Sequence, residues 1–275
     1  MKQELMEFST VGDFVQYVKE TPVHPTNIKR ERRSHLTGNE RLRFTGTHNF
    51  NQACELALNG WPKGLENLTS KLDLCLANGK SRYRVNDVAG DYPDIGRFLS
   101  GVPVCMSRRV INDGLKRPII ELIFNATYSQ YVSADSIMCY GAAIASVVDE
   151  LETLGFRVGL KVVNISTTNV TNRKSGVLVT IKQPQEALEL DKAVFALAHP
   201  SFQRRLSSAW KETENTNEEL GHGYGRATDM ETKDDAIYFP QHDCSYNTTG
   251  KAREYVKGII RASRPDLFND VSEAA

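Results

Sequence analysis

Between Arg117 and Ser166 the chain passes through three patterns in turn. Ile119, Ile120, Leu122, Ile123 and Phe124 are apolar on both faces, as a central strand flanked by helices must be. A polar loop, Asn125-Ala126-Thr127-Tyr128-Ser129, separates this run from a crossover helix predicted from Ala134 to about Leu154 and stopped at Gly155. A second strand follows from Phe156 to Val163. Strand, helix and strand make a βαβ unit, and its loop falls where open α/β sheets bind their ligands, outside the carboxyl ends of the strands. The segments 157–163 and 176–182 read as a hairpin or as two neighbouring strands. A helix from Glu186 to Ala198 is broken at His199-Pro200 and resumes from Phe202 to Glu214, carrying Arg204, Arg205 and Lys211. Ala236–Phe239 is a short further strand, and Lys251–Ala262 is the last helix.

Upstream, the pattern is helical and less regular. Phe8, Val11, Phe14, Val15 and Val18 recur at helical spacing, predicting an amphipathic helix over residues 1–22 that ends at Thr21-Pro22. From His24 to Glu40 charge dominates, which gives a loop or mobile arm. Phe50–Leu58 is a helix with Asn49 or Asn51 as its cap and Asn59-Gly60 as its end, and a second helix is expected from Leu65 to Asn78. Glycines and prolines from Val85 to Pro103 mark irregular structure. Asp87, Asp91 and Asp94 lie close together there but lack the alternating ligand spacing of a calcium loop, so the segment is expected to cap the sheet. The fold class is therefore α/β: a Rossmann-like open sheet with flanking helices over residues 106–275, preceded by a small helical region with a basic arm over residues 1–105.

Composition narrows the function more than it defines it. The 275 residues are 40% hydrophobic, enough for a sizeable core, and 34 basic residues balance 34 acidic ones, so any charge-driven partner has to be met locally. No run reaches the roughly 18 apolar residues of a membrane span, and the start lacks the apolar core of a secretory signal, so a cytoplasmic protein without membrane contact is expected. Five scattered cysteines with no Cys-x-x-Cys pair read as reduced thiols.

The chemistry-bearing candidates fall into two groups. Lys29, Arg30, Arg32 and Arg33 crowd into five positions, and Arg41, Arg43 and Phe44 follow closely; basic groups interleaved with aromatics track phosphates and stack bases. Lys251, Arg253 and Lys257 add a second basic line on the last helix. Nucleophilic chemistry is not supported: Ser129 and His199 lack an elbow motif and an orienting acid, there is no phosphate-binding glycine loop, and His222, His242, Asp243 and Cys244 fit no zinc spacing. No catalytic residue is assigned.

Asn125-x-Thr127-x-Ser129 resembles the Asp-x-Ser-x-Ser signature of von Willebrand factor A domains, which implies an A-type fold. The resemblance also implies a metal site at Asn125, Thr127 and Ser129. Because a neutral amide stands in place of the aspartate, the cofactor expectation is none, or a weakly held Mg²⁺ compensated by Asp191 or Asp235. Phe44-Thr-Gly-Thr47, Asn59-Gly-Trp-Pro-Lys-Gly64, Asp87-Val-Ala-Gly-Asp-Tyr-Pro-Asp94, Gly141-Ala-Ala-Ile144 and Ala196-Leu-Ala-His-Pro200 resemble a group of bacteriophage proteins. That resemblance implies the cytoplasm of an infected bacterium and a role in replication, transcription or host-factor recruitment. The resulting expectation is a non-enzymatic binding protein for single-stranded nucleic acid, or one recruiting the transcription or replication machinery. The alternative is an adaptor that grips a protein partner such as a polymerase or an ATPase through the strand-end loop.

Overall fold

The computed structural model describes residues 3–25, 27, 33–64, 66, 84–88, 92–93, 95–109, 119–153, 156–167, 173–213, 225–232, 235–241 and 249–265. Its centre is a six-stranded, mostly parallel sheet. The predicted βαβ unit is present as β5 (Ile119–Asn125), a helix Ala134–Thr153 and β6 (Arg157–Thr167), with β5 parallel to β6. The chain then turns back as β7 (Lys174–Lys182), antiparallel to β6, which makes the hairpin. β9 (Ile237–Phe239) joins the other side of β5 in parallel, and the two-residue β8 (Arg226–Ala227) extends the ladder at the end of β6.

The outer strand was not expected. Residues 3–8 form β1 (Gln3–Phe8), parallel to β7, so the predicted helix over 1–22 is confined to α1 (Val11–Glu20). Two signals overlap here. Leu5 packs on one face of the sheet while Met6 and Phe8 pack on the other, a period of two that the helical spacing beginning at Val11 hid. Thr10 marks the switch, its hydroxyl accepting the Asp13 N–H at 3.0 Å as a helix cap. The Trp210 indole N–H, 3.4 Å from the Met6 sulfur, ties the strand to the helical layer. Phe8, Phe14, Phe50 and Ala53 lie in the same hydrophobic cluster as the β5 and β6 side chains.

A 3₁₀ turn (Arg33–His35) and α2 (Asn39–Thr45) occupy part of the segment expected to be loop. α3 (Phe50–Asn59) is capped by Asn49, which accepts the Gln52 N–H at 2.8 Å, and ends at Gly60 with φ +88°. The segment expected to be irregular instead holds a small antiparallel sheet of β2 (Arg84–Asp87), β3 (Tyr92–Pro93) and β4 (Met106–Arg109), in the order β2-β4-β3, with a single turn of helix, α4 (Ile95–Leu99). Its strands are too short for a periodic signal to show. The expected helix at 65–78 lies outside the described residues.

The crossover helix, α5, is followed in chain order by α6 (Leu190–Ala198), a π-helical turn (Phe202–Ser207), α7 (Ser208–Thr213) and α8 (Thr249–Ser263). The helices bury their apolar sides against one face of the main sheet, on Leu122, Phe124, Leu160, Val162 and Val179. The opposite face holds a smaller cluster of Ile123, Val163, Ile165 and Leu178, closed by Met230, Ala236 and Tyr238. Ile119 remains 46% exposed on that second side. The apolar run of β5 thus reflects a helical layer on one face and the segment around β9 on the other.

α5 and α6 approach most closely at Gly141, where a Cβ would lie 2.3 Å from the Leu197 carbonyl oxygen, a backbone atom that cannot swing aside. Gly141→Ala therefore loses more from forcing the helices apart than the roughly 1 kcal/mol it gains in helix propensity. The expected result is a net destabilisation of about 1–2 kcal/mol, read as a lower urea midpoint with an unchanged slope.

Candidate functional site

The loop after β5 is built by its own polar side chains. Ala126 N–H continues the ladder to the Val163 carbonyl at 2.9 Å, and the Asn125 side-chain oxygen then accepts the Thr127 N–H at 3.0 Å, closing an Asx turn. Thr127 Oγ1 accepts the Ile165 N–H at 2.8 Å, and Asn164 Nδ2 donates to the Ala126 carbonyl at 3.2 Å. Ser133 Oγ accepts the Ser136 N–H at 3.1 Å and so caps α5. Asn125 and Thr127 are buried, and Ser129 is half-buried, its hydroxyl facing the Tyr131 N–H at 3.5 Å.

The Asn125 amide nitrogen faces the Thr228 carbonyl at 2.9 Å, the Tyr238 hydroxyl at 2.9 Å and the Asp229 carboxylate at 3.2 Å. Asp229 also accepts from the Tyr238 hydroxyl at 3.1 Å and the Gln241 N–H at 2.7 Å. Burial, with Asp229 adding to it, pushes the Tyr238 phenol above the usual tyrosine range. These contacts account for asparagine at 125: an aspartate would set a second carboxylate against Asp229, where the amide donates instead. They also bear on Mg²⁺. The Asn125 oxygen and Thr127 Oγ1 already accept backbone N–H groups, and among the described residues Asp229 is the carboxylate that reaches Asn125. This donor set does not fit the hard-oxygen array the ion requires. No group of three His, Cys, Asp or Glu among the described residues is placed to hold a metal. Asp191 sits elsewhere, its backbone carbonyl accepting the Trp61 N–H at 3.1 Å, and Asp235 is exposed ahead of β9. Asp229 had no sequence signal, because it lies in an extended segment without periodicity.

Of the basic candidates, Arg41 and Arg43 are exposed on α2 and Lys251 is exposed on α8. Arg253 and Lys257 both turn to Glu150 on α5, at 2.9 and 3.7 Å. Phe44 is half-buried, with the Arg204 guanidinium 4.0 Å above its ring, so that face is closed to a base. Lys29, Arg30 and Arg32 lie outside the described residues; Arg33 is described only as the start of the 3₁₀ turn.

The segment 34–47 meets Ser201, Arg204 and Arg205 in one buried polar knot. Arg205 is fully buried, and its Nε donates to Thr47 Oγ1 at 2.7 Å. Its two terminal nitrogens donate to the carbonyls of Thr47 at 2.8 Å, Ser34 at 2.8 Å and Leu36 at 3.0 Å. Arg204 donates to the carbonyls of Phe44 at 2.8 Å and Val132 at 2.6 Å. Ser201 bridges Thr47 Oγ1 and the Thr45 carbonyl, at 2.8 and 2.5 Å. Burial lowers the pKa of both arginines, Arg204 to about 10. His199 lies between Phe195 and Trp61, its Nδ1 accepting the Ser201 N–H at 3.1 Å. It packs as a neutral ring far from any nucleophile role. Lys211, also buried, donates to Ser166 Oγ at 2.6 Å, and desolvation lowers it to about 7.

Burial also holds His199 down at about 4, against 6.5 when unfolded. The unfolded chain then takes up this proton first as the pH falls, so stability contributed by the neutral ring is full above about 6.5 and is lost progressively down to about 4. The whole swing is a few kcal/mol. His199→Asn, whose amide oxygen can still accept the Ser201 N–H, is expected to flatten the pH dependence of the unfolding free energy between pH 6.5 and 4; an unchanged slope would refute this assignment.

No curated protein and no solved structure matches the chain. A family model described as a domain of unknown function, DUF7192, matches residues 2–262, which includes the sheet, the strand-end loop and the arginine knot, and the chain belongs to that family.

Proposed function

We propose that the chain is a non-catalytic binding protein that holds single-stranded nucleic acid through basic side chains, Arg41 and Arg43 of α2 among them, with Lys29, Arg30, Arg32 and Arg33 as further candidates by sequence alone. The observation that carries this reading is the mounting of α2. Two exposed arginines stand on a short helix whose last turn is bolted to the core, through the Phe44 carbonyl and ring to Arg204 and through Thr45 and Thr47 to Ser201 and Arg205. Fixed cations lose little freedom when they meet a phosphate backbone, which favours sequence-independent, salt-sensitive association. Lys251 is a further exposed cation, on α8, whereas Arg253 and Lys257 serve Glu150. Phe44 acts here as a support for Arg204. The likeness to bacteriophage proteins fits work on replication or transcription intermediates in a bacterial host.

A second reading rests on Tyr131, 87% exposed on the braced loop after β5. An aromatic held out from a rigid strand-end loop suits an adaptor that anchors a protein partner. No helix among the described residues is long and apolar enough to cross a membrane.

Fluorescence anisotropy with a labelled single-stranded oligodeoxythymidylate at about 50 and 200 mM salt tests the first reading. Six phosphate contacts give a slope of log affinity against log salt of about −4, and Arg41→Ala with Arg43→Ala makes it shallower by about 1.4. Absence of binding at the lower salt would sink the nucleic-acid reading. In that case, capture of a host protein by wild type but not by Tyr131→Ala supports the adaptor.

A further inference from the structure

Two consecutive residues of the π-helical turn grip the loop after β5. The Gln203 amide donates to the Tyr128 carbonyl at 2.8 Å, and the Arg204 guanidinium donates to the Val132 carbonyl at 2.6 Å. Val132 is buried, whereas Tyr131, between the two holds, is 87% exposed. The other terminal nitrogen of Arg204 donates to the Phe44 carbonyl at 2.8 Å, and Arg204 itself is more than nine-tenths buried. A guanidinium is a rigid planar fork, so the backbones at 44 and 132 are kept close together by a single side chain. Arg43 precedes Phe44 and Tyr131 precedes Val132, and both are exposed. The last turn of α2, with its arginines, and the loop that carries Tyr131 are thus neighbouring supports fixed from beneath by Arg204, and α2 packs beside α5.

We propose that Tyr131 is the base-stacking residue of the nucleic-acid site, set beside Arg41 and Arg43 by the shared hold of Arg204, so that its ring takes an unpaired base while the arginines take the adjoining phosphates. Charge alone would bind weakly here, because Glu40 is exposed on α2 and Asp135 is exposed in the first turn of α5, and these offset the two arginines. A ring held out from the body supplies what charge does not, a face on which any unpaired base can stack. Phe44 is closer in sequence to the arginines but has one face taken by Arg204. With the loop fastened on both sides of Tyr131, little of it remains to be ordered when the strand arrives. This rests on the nucleic-acid reading above and adds the residue that selects single strands.

The two ideas separate in an anisotropy titration of the full chain with labelled single-stranded oligodeoxythymidylate. Tyr131→Ala is expected to lower affinity about ten-fold, while Tyr131→Phe, which keeps the ring, binds as wild type. Tyr131→Ala removes no charge, so its slope of log affinity against log salt stays that of wild type, unlike the slope of Arg41→Ala with Arg43→Ala. An oligomer of the same length and backbone but without bases gives a second readout: wild type and Tyr131→Ala bind it equally. Far-ultraviolet circular dichroism with a thermal melt establishes that each variant is folded. If folded Tyr131→Ala binds oligodeoxythymidylate as wild type while the arginine variant is weakened, the stacking role is overturned and the nucleic-acid reading stands. Equal losses in Tyr131→Phe and Tyr131→Ala, or the same loss on the base-free oligomer, also overturn it, because the contact would then not be a ring on a base. If wild type does not bind at about 50 mM salt, the parent reading falls and this role falls with it.

Discussion

A guanidinium closed off from water must have its N–H groups met by acceptors, and at Arg205 the acceptors are neutral: three carbonyls and one hydroxyl, all from residues 34–47. This sets how the first fifty residues join the sheet. Each lost acceptor would leave a buried charged donor unsatisfied, at about 1–3 kcal/mol or more, so the segment has one low-energy path across the helical layer. The π-helical turn supports that geometry. Its wider winding lets the hydroxyls of Ser207 and Ser208 reach carbonyls five residues back, and it turns Arg204 and Arg205 together toward the upstream segment. The small residues of the motifs serve the same joint. Ser201 and Thr47 fill the space around the guanidinium, and Gly60 leaves room for the Asp191 carboxylate, which a Cβ would meet at 2.1 Å.

The sheet divides the molecule unequally. One face carries the helices and most of the core, while the described cover of the other face is the short stretch around Met230 and Tyr238. That stretch also closes the carboxyl end of β5, through Tyr238 and Asp229 on Asn125. Packing on the second face and order in the strand-end loop are therefore one event. The loop emerges with its polar groups engaged inward and Tyr131 turned outward.

What could be read from the sequence was whatever a period reports. β5, α5, β6, β7 and α8 are long or strongly apolar, and their positions matched to within a few residues. β1 was hidden because Phe8 fits the helical spacing that continues through Val11 and Val15 as well as an alternating one with Met6, and the sheet edge offered by β7 settled the choice. The strands of the small sheet, two to four residues each, fall below what alternation can register. The site was legible in its residue types but not in its partners. Asn125, Thr127 and Ser129 stood out by spacing, whereas Asp229 arrives from more than 100 residues away on an unpatterned segment. Phe44 looked like a stacking surface because its neighbours are basic, but the arginine that occupies its ring comes from the π-helical turn. Arg204 and Arg205 stood in a predicted helix with no role assigned, since nothing local announces that backbone carbonyls will bury them.

The balance of 34 basic against 34 acidic residues gives the anchored segments a physical importance that a basic protein would not need. A strongly cationic chain attracts nucleic acid from a distance and tolerates a loose binding surface. In a neutral chain, the field of a small cluster is screened within about 8–10 Å at ordinary ionic strength, so under the proposed nucleic-acid reading the cations would have to stand at the contact distance when the backbone arrives. Long side chains on a free arm would have to give up both backbone and rotamer freedom at that moment, about 1–2 kcal/mol for each residue ordered. Fastening α2 on Arg204 and Arg205 moves the ordering of its own residues into folding, where the burial of Phe14, Phe50, Phe195 and Phe202 in one core offsets it. The buried polar knot thus fixes the helix on which Arg41 and Arg43 stand exposed, which is the geometry the proposed nucleic-acid reading calls for.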